Sequence, residues 1–293
     1  MADREGKMRK MIASALIFGL ALSLTGCMRM FSEGNAKAEV NTYEFGEEID
    51  SVMIETTSFD VRVVKATGNK TVVILREADL LRHDVECRDG VLRIAKRKTE
   101  GAVNAVNIPL EIEVQLPKDK YSLIDINTSS GDMAVDADFT FDDAVYTAFS
   151  GGIFSEADVT GTLRSDTSSG SQHISNVYGR SVEVSSSSGN VTVSAVYGTD
   201  VSVKTSSGEA DLRDVVIKGK LNVNTSSGDV ILSRCDASAI AVRTTSGDVT
   251  GELLSGKEFS ASSGSGSIRI PESTSGGICE IKTGSGDIRI TVR

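Results

Sequence analysis

Residues 225–232 read TSSGDVIL, and this polar turn followed by alternating apolar residues recurs throughout the second half of the chain. The central glycine returns every 19 or 20 residues, at Gly131, Gly151, Gly170, Gly189, Gly208, Gly228, Gly247, Gly266 and Gly286. A flexible Ser/Gly-rich linker has no reason to keep such a spacing, so we interpret these residues as the turns of a folded repeat.

Each unit contains two short strands, one on either side of the glycine. Apolar residues lie seven and five positions before it, as in Val201 and Val203, and two and four positions after it, as in Val230 and Leu232. This period-two alternation is typical of half-buried strands, which β-branched residues favour. A Thr or Ser three residues before every central glycine except Gly151 is expected to point inward and to satisfy backbone groups beside the turn.

A second, weaker glycine series runs about half a unit out of phase and marks the other turn: Gly161, Gly179, Gly198, Gly219, Gly256 and Gly277. Each unit is therefore predicted to form one coil, with successive coils stacked in register. We attribute the central glycines to a backbone of positive φ, where a Cβ would clash. The predicted fold is all-β, a parallel β-helix or β-solenoid of 19–20-residue, two-strand coils over residues 121–293.

Residues 40–120 differ from the repeat, and we interpret them as an N-terminal β cap over the open edge of the first coil. The segment 55–61 resembles the repeat, with Phe59 in place of the glycine. Strand-like runs follow at 71–76, 84–88, 91–95 and 108–116. Asp89-Gly90, between two of these runs, predicts a hairpin.

The amino terminus resembles a bacterial lipoprotein signal peptide over residues 1–26. Arg9 and Lys10 precede an uncharged run over 11–24, which is too short to span a bilayer, and the run ends in a lipobox-like Leu-Thr-Gly-Cys at 24–27. The resemblance implies that Cys27 carries the lipid and that residues 27–39 form a tether. The protein is then expected to be extracytoplasmic and membrane-anchored, with translation starting at Met1 or Met8.

Composition excludes several classes of protein. The 39% apolar content is too high for a disordered chain and too low for a polytopic membrane protein, and the net charge of −10 argues against nucleic-acid binding. Cys87, Cys235 and Cys279 are odd in number and lack CxxC spacing, so we predict single buried thiols rather than a zinc site or a disulfide framework. We expect no metal and no other cofactor.

The TSSGD-V-x-V units, together with Leu116-Pro117 just before the first full unit, resemble the bacterial "putative adhesin" β-strand-repeat family, whose function is unknown. The resemblance covers about residues 40–293. It implies the solenoid fold and a surface role, without a known ligand. This chain departs from the pattern at Phe59, at Ala148-Phe149 and at Gln172, which falls at an inward position.

Residues that could carry catalysis are few. His173 is expected to point outward with no matching acid motif, and His83 lies between Arg82 and Asp84 in a connecting segment, so both are interpreted as surface histidines. The turn serines occur in every unit, outside any GxSxG or SxxK motif, and cannot all be nucleophiles. We therefore predict that the protein is not an enzyme.

Acidic residues follow several of the turn glycines, and Glu209, Asp229 and Asp248 do so on three consecutive coils. Stacked carboxylates repel one another unless a cation or hydrogen bonds compensate, so a weak calcium stripe is one interpretation. We favour the other, that Asp stabilises the turn through hydrogen bonds to the backbone. Tyr178 and Tyr197, 19 residues apart, are expected to stack on neighbouring coils, either as a stabilising ladder or as a platform for sugar.

The sequence thus predicts a cell-surface or envelope lipoprotein that binds or scaffolds another macromolecule, with a glycan or a protein as ligand. An alternative is an extracytoplasmic sensory or regulatory domain that acts on a membrane partner. A third, less favoured interpretation is a carbohydrate-active β-helix enzyme, which needs an acid pair on one face.

Overall fold

The computed structural model describes residues 38–78, 81–98, 109–273 and 275–293, so Cys27 and the predicted signal peptide lie outside the described residues. Within these ranges no helix is long and apolar enough to cross a bilayer. The first seven strands are β1 (Ala38–Phe45), β2 (Ser51–Glu55), β3 (Asp60–Lys65), β4 (Thr71–Ala78), β5 (His83–Arg88), β6 (Val91–Lys96) and β7 (Glu111–Leu116).

The repeat region forms the remaining strands, one on each side of every central turn, with the short β12 as an additional strand beside β10. They are β8 (Lys120–Thr128), β9 (Met133–Val135), β10 (Thr140–Ala148), β11 (Ile153–Ser155), β12 (Asp158–Val159), β13 (Thr162–Thr167), β14 (Gln172–Val177), β15 (Ser181–Ser186), β16 (Val191–Gly198), β17 (Asp200–Thr205), β18 (Ala210–Ile217), β19 (Lys220–Asn224), β20 (Val230–Cys235), β21 (Ala239–Arg243), β22 (Val249–Leu253), β23 (Lys257–Ser263), β24 (Ile268–Arg269), β25 (Gly277–Thr283) and β26 (Ile288–Val292).

These strands build two sheets of thirteen strands each, and each coil, here called a rung, gives one strand to each sheet. Pairing between rungs is parallel and in register, so that Val203 of β17 pairs with Val184 of β15 and with Val223 of β19. Like residues therefore form inward columns, and one hydrophobic cluster runs from Ile49 to Ile290. The predicted β-solenoid is confirmed.

The central glycines are required because neighbouring rungs approach closely there, and not for the reason predicted. A Cβ on Gly189 would lie well under 3.0 Å from the carbonyl oxygen of Gly170, and every other central glycine meets the rung beside it in the same way. None of these glycines has a positive φ, so that prediction was wrong. In the repeat, positive φ instead recurs six residues after the glycine on four successive rungs: Asn176, Ala195, Asp214 and Arg234.

At most of the central turns, the hydroxyl three residues before the glycine bonds the backbone twice. Thr205 Oγ1 accepts the N–H of Gly208 within its own rung at 3.1 Å and donates to the carbonyl oxygen of Gly189 on the neighbouring rung at 3.4 Å. Thr167, Thr244 and Thr283 bond in the same two ways. The predicted inward hydroxyls thus satisfy buried backbone groups beside the turn.

The amino-terminal end is closed by antiparallel strands, as predicted for a cap. Strand β4 pairs antiparallel with β7 and β1, and β5 pairs antiparallel with β6 through a turn whose Asp89 and Gly90 have φ of 51° and 79°. The pairs β2–β3 and β6–β7, however, are parallel rungs that continue the two sheets. Rung β2–β3 lies between β6–β7 and β8–β9, so chain order and stacking order differ here.

The opposite end is also out of chain order, which corrects the expectation that successive coils stack on one another. The rung β25–β26 lies between two others. Its strands β25 and β26 bond to β21 and β22 on one side and to β23 and β24 on the other. The last rung of the chain is therefore the second from the end of the stack, and β23–β24 is outermost.

Substituting Gly189 by alanine tests the close approach. Its Cβ would overlap a backbone carbonyl that cannot move without displacing a whole rung, so we expect a loss of about 3 kcal/mol or more in the free energy of unfolding by urea. Gly68→Ala is the matched control, because no atom lies within 4 Å of its Cβ position, and it should change stability by less than about 0.5 kcal/mol. Equal effects of the two substitutions would contradict the packing explanation.

Candidate functional site

The Asp or Asn that follows five of the central glycines joins neighbouring rungs through its side chain. Asp229 Oδ1 accepts the N–H of Asp248 at 2.8 Å, and Asp248 Oδ1 accepts the N–H of Asp287 at 2.7 Å. At Glu209 the roles differ, because its own N–H donates to Asn190 Oδ1 at 3.0 Å. The repeated acids therefore serve the turn, which is the role the sequence favoured.

Calcium binding by Glu209, Asp229 and Asp248, which the sequence analysis favoured less than a role in the turn, stays untested. In the part of the chain that the structure describes, no three His, Cys, Asp or Glu side chains are grouped as a metal site. Asp229 and Asp248 each commit one carboxylate oxygen to a backbone N–H, which already compensates part of their mutual repulsion.

His83 is not a surface histidine, and that prediction was wrong. Its side chain is buried between two partners: Nδ1 lies 3.0 Å from Glu77 Oε1, and Nε2 lies 2.9 Å from Thr56 Oγ1. Asn41 Nδ2 donates to the other oxygen of Glu77 at 3.1 Å. The ring of Phe59 meets His83 edge-on, with centroids 4.5 Å apart.

The order acid–imidazole–hydroxyl is that of a nucleophilic triad, but this one is closed. Thr56 is 2% exposed, so its hydroxyl cannot reach a substrate, and Thr56 occupies the position of the hydroxyls that brace the other turns. The three side chains instead satisfy one another where the cap meets the rung β2–β3. The departure of Phe59 from the repeat was the sequence signal for this cluster, since its ring packs edge-on against His83.

The cysteines of the described residues are free thiols. Cys235 and Cys279 are buried, as predicted, and burial raises their pKa values to about 11 and about 12. Cys87 is only half-buried. Neither buried thiol is a reactive thiolate at neutral pH, which agrees with a packing role.

The tyrosine pair stacks as expected. The rings of Tyr178 and Tyr197 have centroids 5.2 Å apart and an interplanar angle of 23°. Both rings lie on the exposed side of the sheet that contains β14 and β16. The geometry fits both the stabilising ladder and the sugar platform, and so leaves the choice between them open.

A groove opens on the same sheet, across strands β3, β9, β11, β14 and β16, with a volume of about 520 Å³. Two rows of outward side chains line it. The turn row contains Asp60, Asp132, Gly152, Ser171 and Asn190. The strand row, paired in register, contains Arg62, Ala134, Phe154, His173 and Thr192.

Phe154 and His173 form the aromatic part of this groove. Their rings stack with centroids 4.7 Å apart and an interplanar angle of 14°, and Phe154 is 48% exposed. Sequence reasoning placed His173 outward, which is confirmed, but missed its partner. The signal was present, because each of the two residues lies three positions after a central glycine.

The turn acids give a test of how the rungs are joined. The pKa of Asp287 lies below its ordinary value of 3.8 because its carboxylate accepts the N–H of Ser267 on the outermost rung, at 2.7 Å. A depressed folded-state pKa adds stability that is complete above the ordinary pKa and is lost as the pH falls through the lower one. We expect Asp287→Ala to lower the urea midpoint at pH 7, whereas Asp287→Asn keeps an acceptor.

The pH dependence separates charge from hydrogen bonding. Between pH 7 and about pH 3 the wild type should lose more stability than Asp287→Asn, because only the wild type has a carboxylate to protonate there. Identical losses in the two proteins, measured by urea unfolding, would show that Asp287 does not link the rungs in this way.

Comparison with solved structures agrees with the fold. A "putative adhesin" from Parabacteroides merdae is 11% identical, with a TM-score of 0.52 over 88% of this chain and 98% of that one. A "putative lipid binding protein" from Parabacteroides distasonis is 19% identical, with a TM-score of 0.52 over the same shares. At these identities the likeness shows the fold alone.

Sequence comparison defines the family. No curated protein matches the chain. The family model described as Toastrack DUF4097 matches residues 49–234 and 218–293, which together cover most of the sequence and nearly all of the solenoid. This chain belongs to the Toastrack DUF4097 family.

Proposed function

We propose that this protein is a non-catalytic binding or scaffolding module of the bacterial cell envelope, held at the membrane by a lipid on Cys27. The groove around Phe154 carries the proposal. There the outward residues depart from the repeat while the rungs beneath keep their register.

The contrast between repeated and non-repeated side chains supports a binding role. The threonines and aspartates of the turns spend their polar atoms on backbone groups, so they serve the stack. Phe154 makes no such contribution, and keeping a large apolar ring nearly half exposed costs solvation free energy. Contact with a ligand accounts for a ring kept in that position.

The groove also bears on the enzyme interpretation, because Asp60 and Asp132 bring two carboxylates to one face. Hydrolysis of a glycoside needs one carboxyl held protonated by its surroundings while the other is ionised. Both groups here are exposed, and each accepts a backbone N–H, at 2.9 Å for Asp60 and 2.7 Å for Asp132. Each carboxylate thus already serves the stack as an acceptor for the backbone of the next rung, which favours binding without turnover.

The envelope location is tested at Cys27. We expect the full-length protein, expressed in a bacterium fed an alkyne fatty acid, to become labelled and to sediment with membranes. Cys27→Ala should abolish the label, whereas Cys87→Ala, which changes a cysteine of strand β5, should keep it. An unlabelled wild-type protein would contradict lipid anchoring.

The binding role is tested with full-length protein purified in mild detergent. We expect it to sediment with isolated envelope fragments of its own cells in a saturable way, and more strongly when many copies share one liposome than when each is alone, because linked sites raise the effective concentration. The envelope glycans should show no new reducing ends after incubation. Absence of retention would contradict the binding role, and release of sugar would favour the enzyme.

A further inference from the structure

We propose that the groove around Phe154 is a subsite for a neutral glycan, in which one pyranose ring stacks on Phe154 and its hydroxyls bond Asp60, Asp132, Asn190 and Arg62. This inference rests on the proposed binding function and names the ligand class for it.

The shape of the groove comes from two small residues. Ala134 lies between Arg62 and Phe154 in the strand row, and Gly152 lies between Asp132 and Ser171 in the turn row. Where other rungs carry larger side chains, these two leave an open floor. Five neighbouring strands spaced by about 4.8 Å give the groove a length of roughly 19 Å, which is enough for a short oligosaccharide.

The aromatic wall fits the apolar face of a sugar. A pyranose presents C–H groups on its ring faces and hydroxyls around its edge, so it matches a site with an exposed ring beside polar groups. His173, stacked on Phe154, holds the phenyl ring in one orientation and so reduces the ordering cost of binding. The exposed half of the phenyl ring remains available to a ligand.

The polar wall offers both acceptors and donors. Asp60 and Asp132 each use Oδ1 for a backbone N–H, and within the described ranges neither Oδ2 has a hydrogen-bond partner. Asn190 uses its Oδ1 in the same way, which leaves its amide N–H groups to donate. Arg62 lies 3.9 Å from Glu111 and also attracts Asp136, but no hydrogen bond within the described ranges occupies its guanidinium, so its donors can reach a hydroxyl.

The charges of the groove select among ligand classes. Two carboxylates beside one arginine, on a chain of net charge −10, disfavour phosphates and other anions. An acyl chain needs an enclosed apolar cavity, whereas this groove is open and edged by carboxylates. A neutral polyhydroxylated ligand is not repelled by the carboxylates and does not need an enclosed apolar cavity.

The test uses full-length protein in mild detergent and neutral tetrasaccharides of glucose, N-acetylglucosamine, galactose, mannose and xylose, immobilised and then titrated in solution. We expect binding to at least one of them. Phe154→Ala should weaken that binding by about tenfold or more, the effect of losing a central aromatic contact. Ala134→Leu, which fills the floor and removes no polar group, should weaken it as well.

Phe149→Ala is the matched control, since Phe149 is a more exposed phenylalanine that does not line the groove, and it should leave binding unchanged. Tyr178→Ala tests whether the tyrosine pair, and not the groove, is the platform that binds the sugar. The inference is overturned if no tetrasaccharide binds, if phosphatidylglycerol vesicles bind in their place, or if Tyr178→Ala alone weakens binding. Retention on envelope fragments with no sugar binding would reject this subsite and keep the proposed function, whereas loss of both would reject the two together.

Discussion

Close backbone contact at the central glycine column is the constraint on which the rest of the structure depends. Because each central glycine lies against the carbonyl of the rung beside it, a side chain is excluded at that position in every rung that has such a glycine. The same contact brings a threonine hydroxyl within reach of that carbonyl and brings an aspartate to the N–H of the following turn. The regular spacing of the glycines, the hydroxyl bonds beside the turns and the column of turn aspartates thus all follow from the same short distance between rungs.

The sequence predicted the rungs well and their order poorly, for a physical reason. Glycine spacing and apolar alternation are local, so strands such as β17 and β18 follow directly from them. Stacking order is not local, because every rung offers nearly the same edge, and nothing in the repeat distinguishes β23–β24 from β25–β26 as the neighbour of β21–β22. The burial of His83 was missed for a similar reason, since its partner Thr56 follows strand β2 and is 27 residues away in sequence.

The candidate site followed from the sequence only in part. The sequence shows that Phe154 and His173 are equivalent, because they hold the same place in successive units. It does not show that they form a site, because that depends on which side chains lie beside them in the stack. Ala134 and Gly152 open the groove because they are small. A small residue in one unit does not by itself predict a groove; the prediction also needs the strand register, which places these two residues next to the ring of Phe154. In a repeat protein, residues that keep the pattern report on stacking, and function is best sought where the pattern is broken while the register survives.

The insertion of the last rung affects how the chain must be completed during synthesis. The outermost rung, β23–β24, leaves the ribosome before β25–β26, the rung on which it rests. Growth of the stack at this end therefore does not follow the order of translation, since β23–β24 cannot reach its final neighbour before β25–β26 has been made.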